Sequence, residues 1–230
     1  MAYRIAVDIG GTFTDFCVFD DTTKQLTTLK VLSQPTKPGS EISNGLTELS
    51  KTFDFSPEDV TWFSHGTTVG VNTVIQRTGA VLSLLVTEGF EDVLELARLK
   101  VPDPYNIFSQ RPAPLVRRDR VYGIDERTLK DGTILKSIDN QSVKNAVLRA
   151  KKDGADTIVV ALLHSYANPE NEQRVRDIVM SEAPDLEITL SSDVWPVIRE
   201  YERTVTATVA GYIQRRVANY LTAFQTALKT

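Results

Sequence analysis

At 230 residues the chain can bury one substantial core or two small lobes of one domain. An apolar fraction of 41%, a charged fraction of 24% and a net charge of −4 describe an ordinary soluble globular protein without a nucleic-acid or anionic-membrane footprint. Cys17 is the sole cysteine, which excludes intrachain disulfides, and two histidines are too few for a histidine-rich metal site.

The N-terminus runs straight into a strand pattern with no signal-peptide layout. No stretch reaches the ~20 apolar residues that span a bilayer. A cytoplasmic protein is expected. Segments 3–7, 12–19 and 26–32 predict an antiparallel meander with a polar turn at 20–24, broken afterwards by Pro35 and Pro38. Residues 39–52 read as a helix with Ile42, Leu46 and Leu49 on one face. A short strand, 60–63, feeds Ser64-His65-Gly66-Thr67-Thr68. A helix over 69–77 follows, with Gly79 in its C-terminal capping position. Residues 81–86 are a continuous apolar run, expected as a strand covered on both faces. Thr87-Glu88-Gly89 then turns into a short helix through Val93 and Leu96.

Residues 99–135 change character, with several prolines, many charges and little periodicity. They are expected as an insertion, packing as a flap or small subdomain, with strands at 120–124 and 133–135 flanking a Lys130-Asp131-Gly132 turn. The basic cluster from Arg111 to Arg120 reads as a solvated loop. Regularity returns with a helix over 140–152, closed by Gly154, that turns Val143, Ala146, Val147 and Ala150 inward. A strongly apolar strand follows at 157–163, then a helix over 169–182 capped by Asn168, then a strand at 186–190. This strand–helix–strand alternation predicts parallel pairing and an α/β layer architecture. A long helix over 197–228 carries a stripe of Val205, Val209, Ile213, Val217, Leu221, Phe224 and Leu228 that must bury against something. The domain division expected is 1–196, then a helix from 197 to 230 that leads towards a second domain or partner.

Two segments carry chemistry. Arg4-Ile5-Ala6-Val7 leads into Asp8-Ile9-Gly10-Gly11-Thr12-Phe13-Thr14-Asp15, and Phe16-Cys17-Val18-Phe19 resumes a strand. This is a hairpin whose tight turn can lie against a phosphate. Gly10 and Gly11 let backbone N–H groups approach an anion, Thr12 and Thr14 add hydroxyl donors, and Asp8 is placed to hold a hydrated Mg²⁺. An ordinary Gly-Gly hairpin is the alternative. The second segment is His65-Gly66-Thr67-Thr68-Val69-Gly70-Val71-Asn72-Thr73, between a strand and a helix. It can present N–H groups and hydroxyls to an anion or carbonyl, or it is simply a helix start capped by Thr67 or Thr68. His164 ends a buried strand, either satisfied by a backbone carbonyl or placed where ligands sit in α/β sheets. The cluster Arg199-Glu200-Tyr201-Glu202-Arg203 reads as a salt-bridged helical face. Trp62 and Trp195 read as core or interface fillers. GxxxxGK[ST], GxGxxG, HExxH and CxxC are all absent.

Taken in order, these words resemble the N-terminal part of the hydantoinase/oxoprolinase family, the ATP-dependent A-type subunits that include N-methylhydantoinase, 5-oxoprolinase and related ketone carboxylases. The residues that carry the likeness are Asp8 to Asp15, His65-Gly66-Thr67-Thr68-Val69, Leu190-Ser191-Ser192 and Arg199-Glu200-Tyr201-Glu202-Arg203. Gly89-Phe90-Glu91-Asp92 and Ser165-Tyr166-Ala167-Asn168-Pro169 support it. The resemblance implies an α/β fold of the actin-like, ribonuclease-H-like type, with an antiparallel meander start, a mixed sheet flanked by helices and a long C-terminal helix. It implies ATP and Mg²⁺ as cofactors, Asp8 and His65 as catalytic residues with His65 in the cleft, and a metal at Asp8. Gly10, Gly11, Thr12 and Thr14 would cradle phosphates, while Thr67, Thr68 and Asn72 would line the substrate cleft. The implied activity is ATP-dependent hydrolysis of a cyclic amide through a phosphorylated intermediate. A ketone carboxylase subunit, a sugar-kinase-type kinase and a non-catalytic assembly module are the alternatives. The partner implied is the remaining actin-like half of the enzyme or a separate B-type subunit, with no nucleic acid and no membrane. Family members carry a second Gly-Gly-Thr turn and an adenosine-binding segment, which this chain lacks. Losing two or three charge-assisted hydrogen bonds at about 1.5–3 kcal/mol each costs on the order of 5 kcal/mol. At about 1.4 kcal/mol per decade that weakens nucleotide binding more than about a thousandfold, so the chain alone is expected to be a poor ATPase, as a truncated piece or one component of a split enzyme.

Overall fold

A computed structural model describes residues 2–33, 40–53 and 56–227. The sequence expectations for Pro35, Pro38, Gly39 and Leu228 lie outside the described residues. The chain divides into two compact units, residues 1–76 with 215–230, and residues 77–214.

The first unit opens with β1 (Tyr3–Ile9), β2 (Phe13–Asp20) and β3 (Leu26–Leu32), paired as the expected antiparallel meander. Period-two alternation puts Tyr3, Ile5, Val7 and Ile9 of β1, with Phe16 and Val18 of β2, into one core. The Asp20 carboxylate closes the β2–β3 turn by accepting from the backbone N–H of Thr22 (2.7 Å) and the hydroxyl of Thr23 (2.8 Å). Helix α1 (Ser40–Phe53) covers the core face with Ile42 and Leu49 buried and Leu46 partly so. A Cβ at Gly45 would lie 2.2 Å from the Phe16 ring, so the helix rests on that ring only because residue 45 has no side chain.

Strand β4 (Val60–Thr67) adds to β1 in parallel, giving the order β3-β2-β1-β4. It is longer than expected, because parallel pairing with β1 carries the strand through His65-Gly66-Thr67 instead of releasing it at Phe63. Helix α2 (Val69–Ile75) follows and stops short of the expected end. The left-handed residue after it is Arg77 (φ 55°), not Gly79. Gly79, in the second unit, is required for another reason. A Cβ there would come within 2.4 Å of the Tyr212 ring and 2.5 Å of the Tyr212 carbonyl oxygen.

The second unit is a parallel sheet. Strands β5 (Leu82–Thr87), β6 (Val121–Ile124), β9 (Thr157–Ala161) and β10 (Glu187–Leu190) lie in the order β10-β9-β5-β6. Every residue of β5 and β9 is buried, as continuous apolar runs require. Helix α3 (Val93–Leu96) follows β5. Residues 121–124 pair with β5 in the main sheet rather than flanking the Lys130-Asp131-Gly132 turn. That turn joins β7 (Arg127–Thr128) to β8 (Ile134–Lys136), a separate two-stranded ribbon. Helix α4 (Asn140–Lys152) buries Val143, Ala146, Val147 and Ala150 as expected. Asp139 caps it through the N–H groups of Gln141 and Ser142, and Gly154 (φ 72°) ends it. The Asn168 side chain accepts from Glu170 N–H (3.0 Å) at the start of α5 (Glu170–Glu182).

A one-turn helix α6 (Ser191–Val194) precedes α7 (Glu200–Ala227). The valine stripe of α7 is only half-buried. The buried positions are Arg203, Thr204, Ala207, Thr208, Gly211 and Tyr212 in the second unit, with Tyr220 and Phe224 in the first. Small residues decide this. A Cβ at Gly211 would sit 2.8 Å from Val159 Cγ2 and 3.2 Å from Thr189 Oγ1, so α7 approaches β9 and β10 through its smallest residues and the branched valines flank the contact. Among the described residues no helix is long and apolar enough to cross a membrane.

Candidate functional site

The first unit brings the two chemically distinctive segments together. In the sheet register Asp8 lies opposite Gly66 on one side and Asp15 on the other, and Asp15 lies opposite Lys30. These four positions form one row on the face that leaves Asp8, Asp15 and Lys30 exposed. Lys30 Nζ is 3.1 Å from Asp15 Oδ1 and offsets part of the like-charge opposition of the two aspartates. Gly66 leaves space beside Asp8, since a Cβ there would be in ordinary contact, 3.6 Å from Asp8 Oδ1. Beyond this row the chain leaves the C-terminal ends of parallel β1 and β4, the edge where α/β sheets bind ligands.

Gly10 N–H donates to the Phe13 carbonyl at 3.0 Å, leaving Gly11 and Thr12 as the two residues of the loop, both exposed. A Cβ on Gly10 would meet the Phe13 oxygen at 2.9 Å, so this glycine closes the turn rather than offering its N–H to a ligand. A Cβ on Gly11 would lie 3.6 Å from Asn72 Nδ2, which places the first turn of α2 against the hairpin tip. Asn72 Nδ2 donates to Thr68 Oγ1 (3.0 Å), and Thr67 Oγ1 accepts from Val69 N–H (3.3 Å). Thr68 holds the N-cap position of α2 without a side-chain cap, and Thr67, whose hydroxyl takes the Val69 N–H, is exposed beside Thr68 and Asn72 at the strand ends. Asp8, Gly11, Gly66, Thr67, Thr68 and Asn72 therefore share one end of the sheet.

Two expected members lie elsewhere. His65 is in register with Val7, on the core face opposite to Asp8, and its ring stacks on Phe224 with centroids 4.0 Å apart. Alternation along β4 puts adjacent residues His65 and Gly66 on opposite faces, so His65 does not share the face of Asp8. Thr14 is fully buried, and its Oγ1 is 2.9 Å from Ser33 Oγ; the expected phosphate donor braces the turn from within. No local motif marks Ser33. The meander register carried it, since β3 continued by one residue brings position 33 level with Thr12. Among the described residues no cluster of three or more acidic, cysteine or histidine side chains is placed to hold a metal.

In the second unit His164 has φ 56°, and its buried Nδ1 lacks a hydrogen-bond partner among the described residues, 3.8 Å from Glu200 Oε1. It is not satisfied by a backbone carbonyl. The Arg199-Glu200-Tyr201-Glu202-Arg203 cluster is only partly a surface face, with Glu202 paired to Arg98 while Arg203 is buried.

The chain matches the profile described as the hydantoinase/oxoprolinase N-terminal region over residues 4–183. It is 33% identical to the acetophenone carboxylase gamma subunit of Aromatoleum aromaticum, across 94% of this chain and 31% of that protein. It is 30% identical to caprolactamase subunit alpha of Pseudomonas jessenii, across 95% of this chain and 32% of that one. The crystal structure of the ATP-dependent caprolactamase from P. jessenii superposes with a TM-score of 0.88 at 29% identity, covering 98% of this chain and 33% of that one. A nucleotide-free acetone carboxylase structure gives 0.90 at 28%, covering 99% and 34%. The chain thus spans about a third of the length of these relatives, and a fifth of the 5-oxoprolinases it also matches. These relatives have the same mixed α/β fold, with helix-flanked sheets and a long C-terminal helix, as expected of the actin-like class. In sequence and fold alike, this chain belongs to the hydantoinase/oxoprolinase family and corresponds to its N-terminal region.

Proposed function

We propose that this chain supplies a phosphate-binding turn and part of the substrate cleft of an enzyme that uses ATP to activate a carbonyl oxygen, in the first instance that of a cyclic amide. The observation that carries the reading is the convergence of Asp8, Gly11, Thr12, Gly66 and Asn72 at the C-terminal ends of β1 and β4. The exposed Asp8 carboxylate, with no side chain opposite it at Gly66, suits a Mg²⁺ ion that keeps most of its water. Such an ion, when bound, neutralises charge on the transferred phosphoryl group. Gly11 and Thr12 offer the loop N–H groups, Gly10 lets the loop close, and Thr67, Thr68 and Asn72 border the substrate side. Relatives named as an ATP-dependent caprolactamase and as 5-oxoprolinases support the cyclic amide.

A second reading has its own support, because relatives that match the chain equally well are subunits of acetophenone and acetone carboxylases. Phosphorylation of a carbonyl oxygen is common to both readings, and only the nucleophile that follows differs. The partner proposed is a further subunit of the same enzyme. The test is ATP hydrolysis by the intact enzyme, offered hydantoin, 5-oxoproline or a lactam, and separately a ketone with bicarbonate. Stimulation by a cyclic amide, lost by at least about a hundredfold in Asp8→Asn with an unchanged melting temperature, is expected. Stimulation by the ketone alone selects the carboxylase reading, and stimulation by neither overturns both.

A further inference from the structure

We propose that Ser33 is a positioning residue for the phosphate-binding turn and acts through a relay of hydroxyls, an inference that rests on reading that turn as the anion site. Ser33 follows β3 directly and touches the turn three times. Its N–H donates to the Thr12 carbonyl at 3.0 Å, its Oγ donates to the Gly10 carbonyl at 2.8 Å, and the same Oγ lies 2.9 Å from Thr14 Oγ1.

The direction of the third contact follows from counting hydrogens. A hydroxyl has one hydrogen to give. A carbonyl has none, so the Ser33 hydrogen goes to Gly10, and Thr14 must donate to Ser33. The chain runs from the Thr14 hydroxyl to the Ser33 hydroxyl to the Gly10 carbonyl, each bond polarising the next. Thr14 is fully buried, so water does not compete for its hydrogen.

Peptide geometry turns this clamp into an aiming device. In a planar trans peptide the C=O of one residue and the N–H of the next point in opposite directions. Drawing the Gly10 carbonyl towards Ser33 aims the Gly11 N–H away from it, and drawing in the Thr12 carbonyl aims the Phe13 N–H likewise. Ser33, outside the Asp-x-Gly-Gly-Thr segment, thereby fixes the Gly11 N–H through its side chain and the Phe13 N–H through its backbone. Without the clamp, the flexible Gly10-Gly11 peptide is free to flip and present its carbonyl to the anion.

The test compares binding of Mg-ATP and of AMP, which lacks the β- and γ-phosphates, to the intact enzyme. Ser33→Ala removes the hydroxyl and keeps the backbone bond. Mg-ATP affinity is expected to fall about tenfold, AMP affinity to stay within about twofold, and Ser33→Thr to restore Mg-ATP binding to within about threefold. Thr14→Val breaks the start of the relay and is expected to shift Mg-ATP binding the same way; it decides the matter if Ser33→Ala does not fold. Unchanged Mg-ATP affinity in Ser33→Ala, or equal losses for ATP and AMP that threonine does not restore, overturns the inference provided Asp8→Asn still weakens Mg-ATP. If Asp8→Asn and Gly11→Val also leave Mg-ATP binding unchanged, the nucleotide reading itself fails and takes this inference with it.

Discussion

The Tyr122 hydroxyl donates to Asp153 at 2.7 Å from a ring that is 3% exposed and lies against the Arg149 guanidinium. Burial, and next the Asp153 carboxylate, push its pKa from 10.0 up to about 12. The folded state therefore holds this proton more tightly than the unfolded chain does. The contribution is fully present below about pH 10 and is lost as pH rises through about 12. Tyr122→Phe is expected to cost about 1 kcal/mol at neutral pH and to flatten stability against pH along that alkaline limb, read by urea denaturation at stepped pH. Gly79 makes a steric prediction at the same scale. Gly79→Ala drives a methyl into the Tyr212 ring and into a carbonyl that already accepts from Ala80 N–H at 3.0 Å. A loss of about 1–3 kcal/mol is expected, and a denaturation midpoint equal to that of the parent would refute the close approach.

Between elements, one buried polar network joins the end of β9 to helices of the second unit. The Glu172 carboxylate on α5 accepts from Leu162 N–H (2.9 Å), Ser191 Oγ (2.6 Å), Ser192 N–H (2.9 Å) and Ser192 Oγ (2.7 Å). Arg203 on α7 donates to the Leu162 carbonyl (2.8 Å), the Val197 carbonyl (2.7 Å) and Ser191 Oγ (3.2 Å). The end of β9, the start of α6 and two helices are thus tied at shared atoms. Burial depresses the Arg203 pKa, and Glu200 and Glu172 oppose the shift. Glu172→Ala strands several donors and leaves Arg203 short of negative charge, so a loss of about 3–5 kcal/mol is expected from thermal or chemical unfolding. Arg203→Lys is expected not to rescue the site, because an ammonium lacks the fork that reaches three acceptors at once. A lysine variant as stable as the parent would show that only the charge matters.

For the molecule as a whole, α7 gives residues to the cores of both units, and its last turns are part of the first unit. Tyr220 and Phe224 pack beside Phe63 and His65 and complete the core that also holds Ile5 and Val7. Ending the chain after residue 214 is expected to leave β5, β9 and β10 protected from hydrogen exchange while β1 and β4 lose protection. Equal protection in both sheets after that truncation would contradict the division of the chain into two cooperative units.

Much of this protein is legible without coordinates. The meander, the inward face of α4, the fully covered β5 and β9 and the Asn168 cap follow from local periodicity and turn chemistry, which sequence reports directly. The Asp8–Gly11 turn and the Thr67–Asn72 segment also stand out in the sequence, as acids, glycines and hydroxyls gathered at strand ends. What local pattern does not contain is register. Whether His65 shares a face with Asp8 depends on how β4 pairs with β1, and a one-residue shift reverses the answer. Whether Thr14 donates to a ligand depends on Ser33, nineteen residues away, meeting it across the sheet. The valines of α7 are the most apolar stripe, yet Gly211 and its small neighbours take the buried side, because close approach to β9 favours lack of volume over hydrophobicity. Sequence alone determined most of the elements, the family and the residues proposed to bind phosphate. Tertiary structure decided which of those residues still have a face, a hydrogen or a surface free to do so.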